Sequence, residues 1–181
     1  ELQLGDAEGD VAIERIKLLF EEIFGRVVRG QIDNDDFNRL ALRAQLGWRE
    51  IAILRAYAKY LRQTGFNFSQ TYMEATLAGN AVLARNLVQL FLTRFDPALD
   101  KREDKSAALL RRINQGLEGV ANIDEDRILR QYLAVIQASL RTNYFQNGAD
   151  GEPKPYLSIK LKSAEVPGLP EPKPLFEVWV Y

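Results

Sequence analysis

The sequence predicts a mainly α fold, an irregular multi-helix bundle followed by a small β portion, two strands of an incomplete sheet. Three observations carry this. Apolar side chains recur at three- and four-residue spacing through most of residues 10–143. Six of the seven prolines then fall between Pro153 and Pro174. Around them, residues 156–161 alternate apolar and polar side chains, and residues 175–181 are rich in β-branched and aromatic ones.

Residues 1–9 carry no such pattern and are expected to be disordered or extended. Over residues 10–29, Ile16, Leu19, Phe20, Ile23, Phe24, Val27 and Val28 form a helical stripe that Gly30 is placed to end. A short helix should follow from Asp33 to about Arg43, with Asp33 as N-cap and Ile32 and Phe37 as a hydrophobic staple. Residues 47–63 give the clearest helix. Ile51, Leu54, Ala58 and Leu61 share one stripe, Glu50 holds the capping-box position, Leu46 and Ile51 form the staple, and Gly65 supplies the stop. Arg49, Arg55, Lys59 and Arg62 lie off that stripe, as a solvated face or as a patch facing a partner or substrate. Ser69 caps a short helix to about Leu77, with Phe68 and Met73 at staple spacing. Gly79 and Asn80 restart the chain into a helix bearing Leu83, Leu87, Leu90 and Arg94, which Asp96-Pro97 ends. Residues 101–118 follow, with Ala107, Leu110, Ile113 and Leu117 inward. The last helix should run from Asp124, its cap, to about Arg141, burying Leu129, Leu133, Ile136 and Leu140, with Ile123 and Ile128 as staple.

The helical body thus covers residues 10–146, and residues 147–181 form a proline-rich linker with strands. Residues 162–174 read as a rigid, extended linker. Two strands alone are marginal, so they should join a sheet completed elsewhere or lean on the helices. Strand composition running to Tyr181 suggests a segment of a longer protein.

With 181 residues, 46% hydrophobic, the chain can bury one core. A formal net charge of −1 supplies no global field for nucleic acid or membrane. Histidine and cysteine are absent, which removes thiolate chemistry, disulfides, imidazole catalysis and the usual zinc sets. No calcium-loop spacing, phosphate loop or glycine dinucleotide fingerprint occurs. The lack of cysteine fits a reducing, cytoplasmic setting.

No catalytic, cofactor-binding or metal residue is assigned. The acidic groups Asp33, Asp35, Asp36 and Asp124-Glu125-Asp126 sit at expected helix starts, where capping accounts for them. The segment Arg141-Thr-Asn-Tyr-Phe-Gln146 collects polar and aromatic side chains. Arg141 either complements a helix C-terminus or helps line a polar site between helices and sheet, a question that includes Lys154 and Lys160.

Several stretches in order resemble the large bacterial NAD-specific glutamate dehydrogenases. They are residues 47–63 (GWRE…LRAYAKYLRQ), 122–130 (NIDEDRILR), 140–146 (LRTNYFQ), 153–161 (PKPYLSIKL) and 170–181 (PEPKPLFEVWVY). The resemblance covers nearly the whole chain from about residue 11. It implies the helical part just before the catalytic region, then the first strands of the substrate-side domain. The lysine-bearing, glycine-rich stretch and the Rossmann domain would follow Tyr181. The implied reaction is oxidative deamination of L-glutamate to 2-oxoglutarate and ammonium with NAD as hydride acceptor. The implied partners are the downstream catalytic region of the same polypeptide and further copies of the parent, with no nucleic acid and no membrane. This chain alone would bind no NAD, and Arg141 and Lys154 are the residues to watch at the domain junction. The alternative is a non-catalytic interaction or regulatory helical module.

Overall fold

The computed structural model describes residues 2–181, with side-chain surroundings from Glu14 onward. Seven α-helices and three short strands follow in order: α1 Leu2–Val28, α2 Leu40–Arg43, α3 Trp48–Gln63, α4 Gln70–Gly79, α5 Ala81–Phe95, α6 Arg102–Leu117, α7 Ile123–Ala138, β1 Ser139–Thr142, β2 Ser158–Leu161 and β3 Glu177–Val180. The mainly helical body with a small sheet is the expected architecture. The extended stretch expected over residues 1–9 lies partly outside the described residues, and α1 is already formed from Leu2.

The centre of the body is α3. Its predicted stripe of Ile51, Leu54, Ala58 and Leu61 is buried, and so are Ile53, Ala56, Tyr57 and Tyr60. A helix buried on nearly all sides is packed by neighbours all round. Its N-terminus follows the sequence reading: Glu50 accepts a hydrogen bond from the Gly47 amide at 2.8 Å. Its C-terminus ends on Gly65, whose φ of +82° favours glycine. Ser69 caps α4 by accepting from the Tyr72 amide at 3.1 Å.

Four expectations need correction. First, residues 33–43 are not one capped helix. A 3₁₀ turn spans Asp36–Arg39, α2 follows, and no side chain caps either. The carboxylates of Asp33 and Asp35 instead meet Lys59 and Arg55 of α3. Second, α7 is capped by Asn122, whose Oδ1 accepts from the amides of Asp124 and Glu125. Asp124 is therefore inside the first turn, and Ile123 is exposed rather than stapled. Third, α7 ends at Ala138, and residues 139–142 form a strand that periodicity does not reveal. Leu140 fits the helical stripe by spacing, yet it sits at an irregularity in the β1–β2 pairing and is exposed. Fourth, residues 162–174 are not simply extended. A 3₁₀ turn at Ser163–Glu165 and the fully buried Val166 pack this segment on α7.

The sheet order is β1-β2-β3, antiparallel throughout. Of the pairings open to the last strand, it takes β2: Ser158 faces Val180, Ile159 faces Trp179 and Leu161 faces Glu177. Ile159, Leu161 and Trp179 turn towards the helices. Val178 and Val180 lie on the outer face and are exposed. Side-chain hydrogen bonds tie sheet to body. Trp179 Nε1 donates to the Ala56 carbonyl at 3.0 Å, Tyr60 donates to Glu177 at 2.7 Å, and Tyr57 shares a 2.8 Å hydrogen bond with Ser139.

The predicted stripe of α1 is only partly used. Ile23 is buried, Ile16, Leu19 and Val27 are half-buried, and Phe20, Phe24 and Val28 are exposed. Phe20 and Phe24 stack on each other with ring centroids 6.1 Å apart.

Candidate functional site

A cavity of about 360 Å³ opens where the helical body meets the sheet. Its floor is one face of α3: Trp48, Ala52 and Arg55 at i, i+4 and i+7, with Arg49 beside them. One wall is the turn Gly30–Asp33 after α1, reversed at Gly30 with φ of +67°. The other is the β1–β2 connection, through Tyr144 and residues 154–157. Tyr181 closes the end, held by paired 2.8 Å backbone hydrogen bonds with Leu157.

The long β1–β2 connection is fixed by one side chain. Asn143 is buried, donates from Nδ2 to the Tyr156 carbonyl at 3.0 Å and accepts at Oδ1 from the Ser158 amide at 2.7 Å. This pair of hydrogen bonds spans the two ends of the connection and orients Tyr144 and Tyr156 around the cavity.

Ion pairs shape the floor. Arg55, 1% exposed, forms a two-pronged pair with Asp35, both N–O distances 2.7 Å, and also donates to Asn38 at 3.0 Å. Burial opposes its charge, but the hydrogen bonds and charge of Asp35 outweigh burial and hold its pKa above the ordinary value. Lys59 donates to Asp33 at 2.6 Å. That hydrogen bond lowers the Asp33 carboxyl and raises the Lys59 ammonium. Burial pushes the Tyr144 hydroxyl up to about 12 and raises that of Tyr181.

The bases of α3 therefore divide. Arg62 remains exposed, as a solvated face requires, but Arg55 is a buried structural cation. Arg49 turns into the cavity, donates to the Tyr144 carbonyl and lies 4.4 Å from the Tyr144 ring centroid.

The residues singled out at the junction are also divided. Tyr144 and Lys154 line the cavity. Arg141 and Lys160 face each other across β1 and β2. Arg141 lines a separate depression with Arg94 and Arg102. Lys160 lies 4.0 Å from the Phe176 ring centroid. Arg141 does not serve the C-terminus of α7 either. Arg94 does, donating at 3.0 Å to the carbonyls of both Gln137 and Ser139. In the acidic run of α7, Asp124 pairs with Arg127 and Asp126 with Arg130 one turn on, and Glu125 accepts from Asn80 at the start of α5.

Sequence reasoning missed Trp48, Tyr156 and Tyr181 as site residues. An aromatic at 48 with a base at 55 on one helix face was a usable signal; the contribution of Tyr181 depends on β3 pairing with β2. Among the described residues no group of three or more acidic side chains is placed to hold a metal ion, and no helix is long and apolar enough to cross a membrane. The described residues do not fit a dinucleotide fold, because the sheet is antiparallel and no strand leads through a glycine turn into a helix.

The described residues thus form a helical body joined to a three-stranded antiparallel sheet. Comparison with known proteins identifies the enzyme family. The family described as glutamate dehydrogenase, helical motif 3, matches residues 32–97. The bacterial NAD-glutamate dehydrogenase catalytic domain matches residues 112–181. An NAD-specific glutamate dehydrogenase of Pseudomonas aeruginosa is 43% identical over 180 residues, 97% of this chain and 11% of that protein. One of Halomonas elongata is 42% identical over 171 residues, 94% of this chain and 11% of that protein. One of Mycobacterium tuberculosis is 37% identical over 167 residues, 90% of this chain and 10% of that protein. The chain belongs with the bacterial NAD-specific glutamate dehydrogenases, matching their helical and catalytic region. It spans about a tenth of the length of these relatives.

Proposed function

We propose that the chain works within an NAD-dependent glutamate dehydrogenase that converts L-glutamate, NAD⁺ and water into 2-oxoglutarate, ammonium and NADH. The observation that carries this is identity above 40% across nearly the whole chain to two proteins named for that activity. Within such an enzyme this chain positions rather than reacts. Trp179, Tyr60 and Tyr57 bolt β3 and β1 to the central helix. Strands entering the catalytic region thereby start from a fixed frame, which substrate-positioning chemistry requires. The same reading includes a cytoplasmic enzyme of several copies, with NAD bound outside these residues.

The test is glutamate-dependent NADH formation by the complete polypeptide, run beside calorimetric titration of the 181-residue chain with NAD⁺. Activity of the complete polypeptide without saturable NAD⁺ binding by the short chain is the expected result. Micromolar NAD⁺ binding or turnover by the short chain would overturn it. A second reading, a non-catalytic interaction or regulatory module, is favoured by the exposed Leu18, Phe20, Phe24 and Val28 on α1. Full dehydrogenase activity and stability after Phe20→Ser and Phe24→Ser together would remove it.

A further inference from the structure

The depression that holds Arg141 shares no lining residue with the cavity over α3. Three elements converge on it. Arg94 and Phe95 end α5, Arg102 and Glu103 begin α6, and Leu140 and Arg141 belong to β1. Its volume of about 640 Å³ lies in the range of small-molecule sites. Three guanidinium groups and one carboxylate, that of Glu103, line it, which leaves two positive charges in excess. Among the described residues, none of these three arginines has a carboxylate within ion-pair distance.

Arg94 is the least satisfied of the three. It is half-buried, and its guanidinium lies 5.6 Å from the Phe95 ring centroid. Its Nη2 donates to the carbonyls of Gln137 and Ser139, which leaves the Nε and Nη1 donors for another acceptor. Glu165, whose charge reaches it, is already held by Lys162 at 2.6 Å. Burial lowers the pKa of Arg94, yet a guanidinium keeps its proton at neutral pH. A partly desolvated cation that cannot neutralise itself is satisfied by an anion. The kind of anion follows from the arrangement. A planar carboxylate meets one guanidinium fork, whereas a tetrahedral phosphate presents oxygens in several directions, towards cations on separate elements. A phosphate monoester carries a charge of about −1.5 to −2 at pH 7, which matches the excess. Phe95 and Leu140, the latter 41% exposed, add an apolar wall on which an organic group can lie.

We propose that this depression binds the phosphate monoester of a small organic molecule, with Arg94, Arg102 and Arg141 around the phosphate and Phe95 and Leu140 beside the organic group. Arg94 belongs to the stretch matched by the helical motif, Arg141 to the stretch matched by the catalytic domain, and Arg102 lies between the two. The bound phosphate thus ties α5, α6 and β1 together and stabilises the folded chain by mass action. The inference stands on this depression alone and does not use the dehydrogenase reaction.

The experiment is calorimetric titration of the 181-residue chain at low ionic strength with phenyl phosphate, inorganic phosphate and benzoate, with melting temperature as a second readout. Phenyl phosphate should bind saturably, one per chain, and raise the melting temperature. Inorganic phosphate should compete for the same site but bind more weakly, because it leaves the apolar wall bare. Benzoate keeps the ring but has a single charge and two oxygens, and it should bind at least about tenfold more weakly, the loss expected for one charge-assisted hydrogen bond. Arg102→Gln and Arg141→Gln should each weaken phenyl phosphate at least about tenfold. Both side chains are exposed, so without ligand both variants should melt like the unsubstituted chain. Arg62→Gln, on the exposed side of α3, should leave binding unchanged. Absence of phenyl phosphate binding at millimolar concentration, inorganic phosphate or benzoate binding as tightly as phenyl phosphate, unaffected binding in Arg102→Gln or Arg141→Gln, or an equal loss in Arg62→Gln would each overturn the proposal.

Discussion

Replacing Asp35 by alanine should be among the most damaging single changes outside the apolar core. The substitution leaves the Arg55 guanidinium, 1% exposed, with Asn38 as its remaining side-chain acceptor and the Phe37 ring 5.6 Å away. Unit charges about 4 Å apart attract by about 4 kcal/mol at an effective dielectric of about 20. Removing one partner of a buried pair costs about 3–5 kcal/mol, because the other charge stays desolvated. Asp35 is itself 13% exposed, so water can reach the vacated side, and the lower end of about 3 kcal/mol is expected. The assay is urea unfolding of Asp35→Ala, Arg55→Met and the double variant. The double variant should recover most of the loss, since an apolar pair carries no unpaired charge, and the coupling should exceed about 1 kcal/mol. A loss below about 1 kcal/mol for Asp35→Ala, or strictly additive effects, would refute the reasoning. High salt should change this result little, while the effect of Asp33→Ala should shrink, because the Asp33–Lys59 pair is 48% and 35% exposed.

Leu54→Ala should cost about 2–5 kcal/mol in thermal or urea melts, since Leu54 is fully buried on the central helix. Asn122→Ala should cost about 0.5–2 kcal/mol through loss of the α7 cap, and Asp124→Ala, left with a dipole contribution, no more than about 0.3–1 kcal/mol. Glu74→Gln should stabilise the chain at neutral pH. Burial raises the folded pKa of Glu74, with Asp35 and Asp36 adding to it, so stability present below the unfolded carboxyl pKa is lost as pH rises towards the folded one; the two proteins should therefore melt alike at pH below about 4. In hydrogen exchange the Trp179 amide, on the β2 side of the last strand, should exchange more slowly than those of Val178 and Val180, which point away from β2 by the antiparallel alternation.

The helical body was legible because its helices carry local signals that do not depend on the rest of the chain. The Glu50 and Ser69 caps, the stops at Gly30 and Gly65, and the stripes of α3 and α5 are all decided within a few residues. Strand β1 was not legible, because Leu140 continues the apolar spacing of α7 and only pairing with β2 settles its backbone. Asp33 and Asp35 were misread for a related reason. A carboxylate before an apolar run looks like a cap, and nothing local shows that Arg55 and Lys59, a helix away, will claim it. The cavity was half legible: Lys154 and the segment containing Tyr144 were singled out, but Arg141, on β1, lines a different depression with Arg94 and Arg102. Tyr144 and Lys154 lie in the connection that follows β1, and its path back to β2 is set by the Asn143 hydrogen bonds rather than by any local periodicity.

The two family matches break between residues 97 and 112, yet the packing does not. One continuous apolar cluster runs from Ile23 of α1 through α3, α5 and α7 to Ile159, Leu161 and Val166. Helix α3, inside the first match, is the floor on which the strands of the second are laid, through Ala56, Tyr57 and Tyr60. Apolar burial of that extent is cooperative, so loosening the sheet loosens α3 as well. At the cavity the two stretches also touch directly, where Arg49 of α3 donates to the Tyr144 carbonyl and lies over its ring.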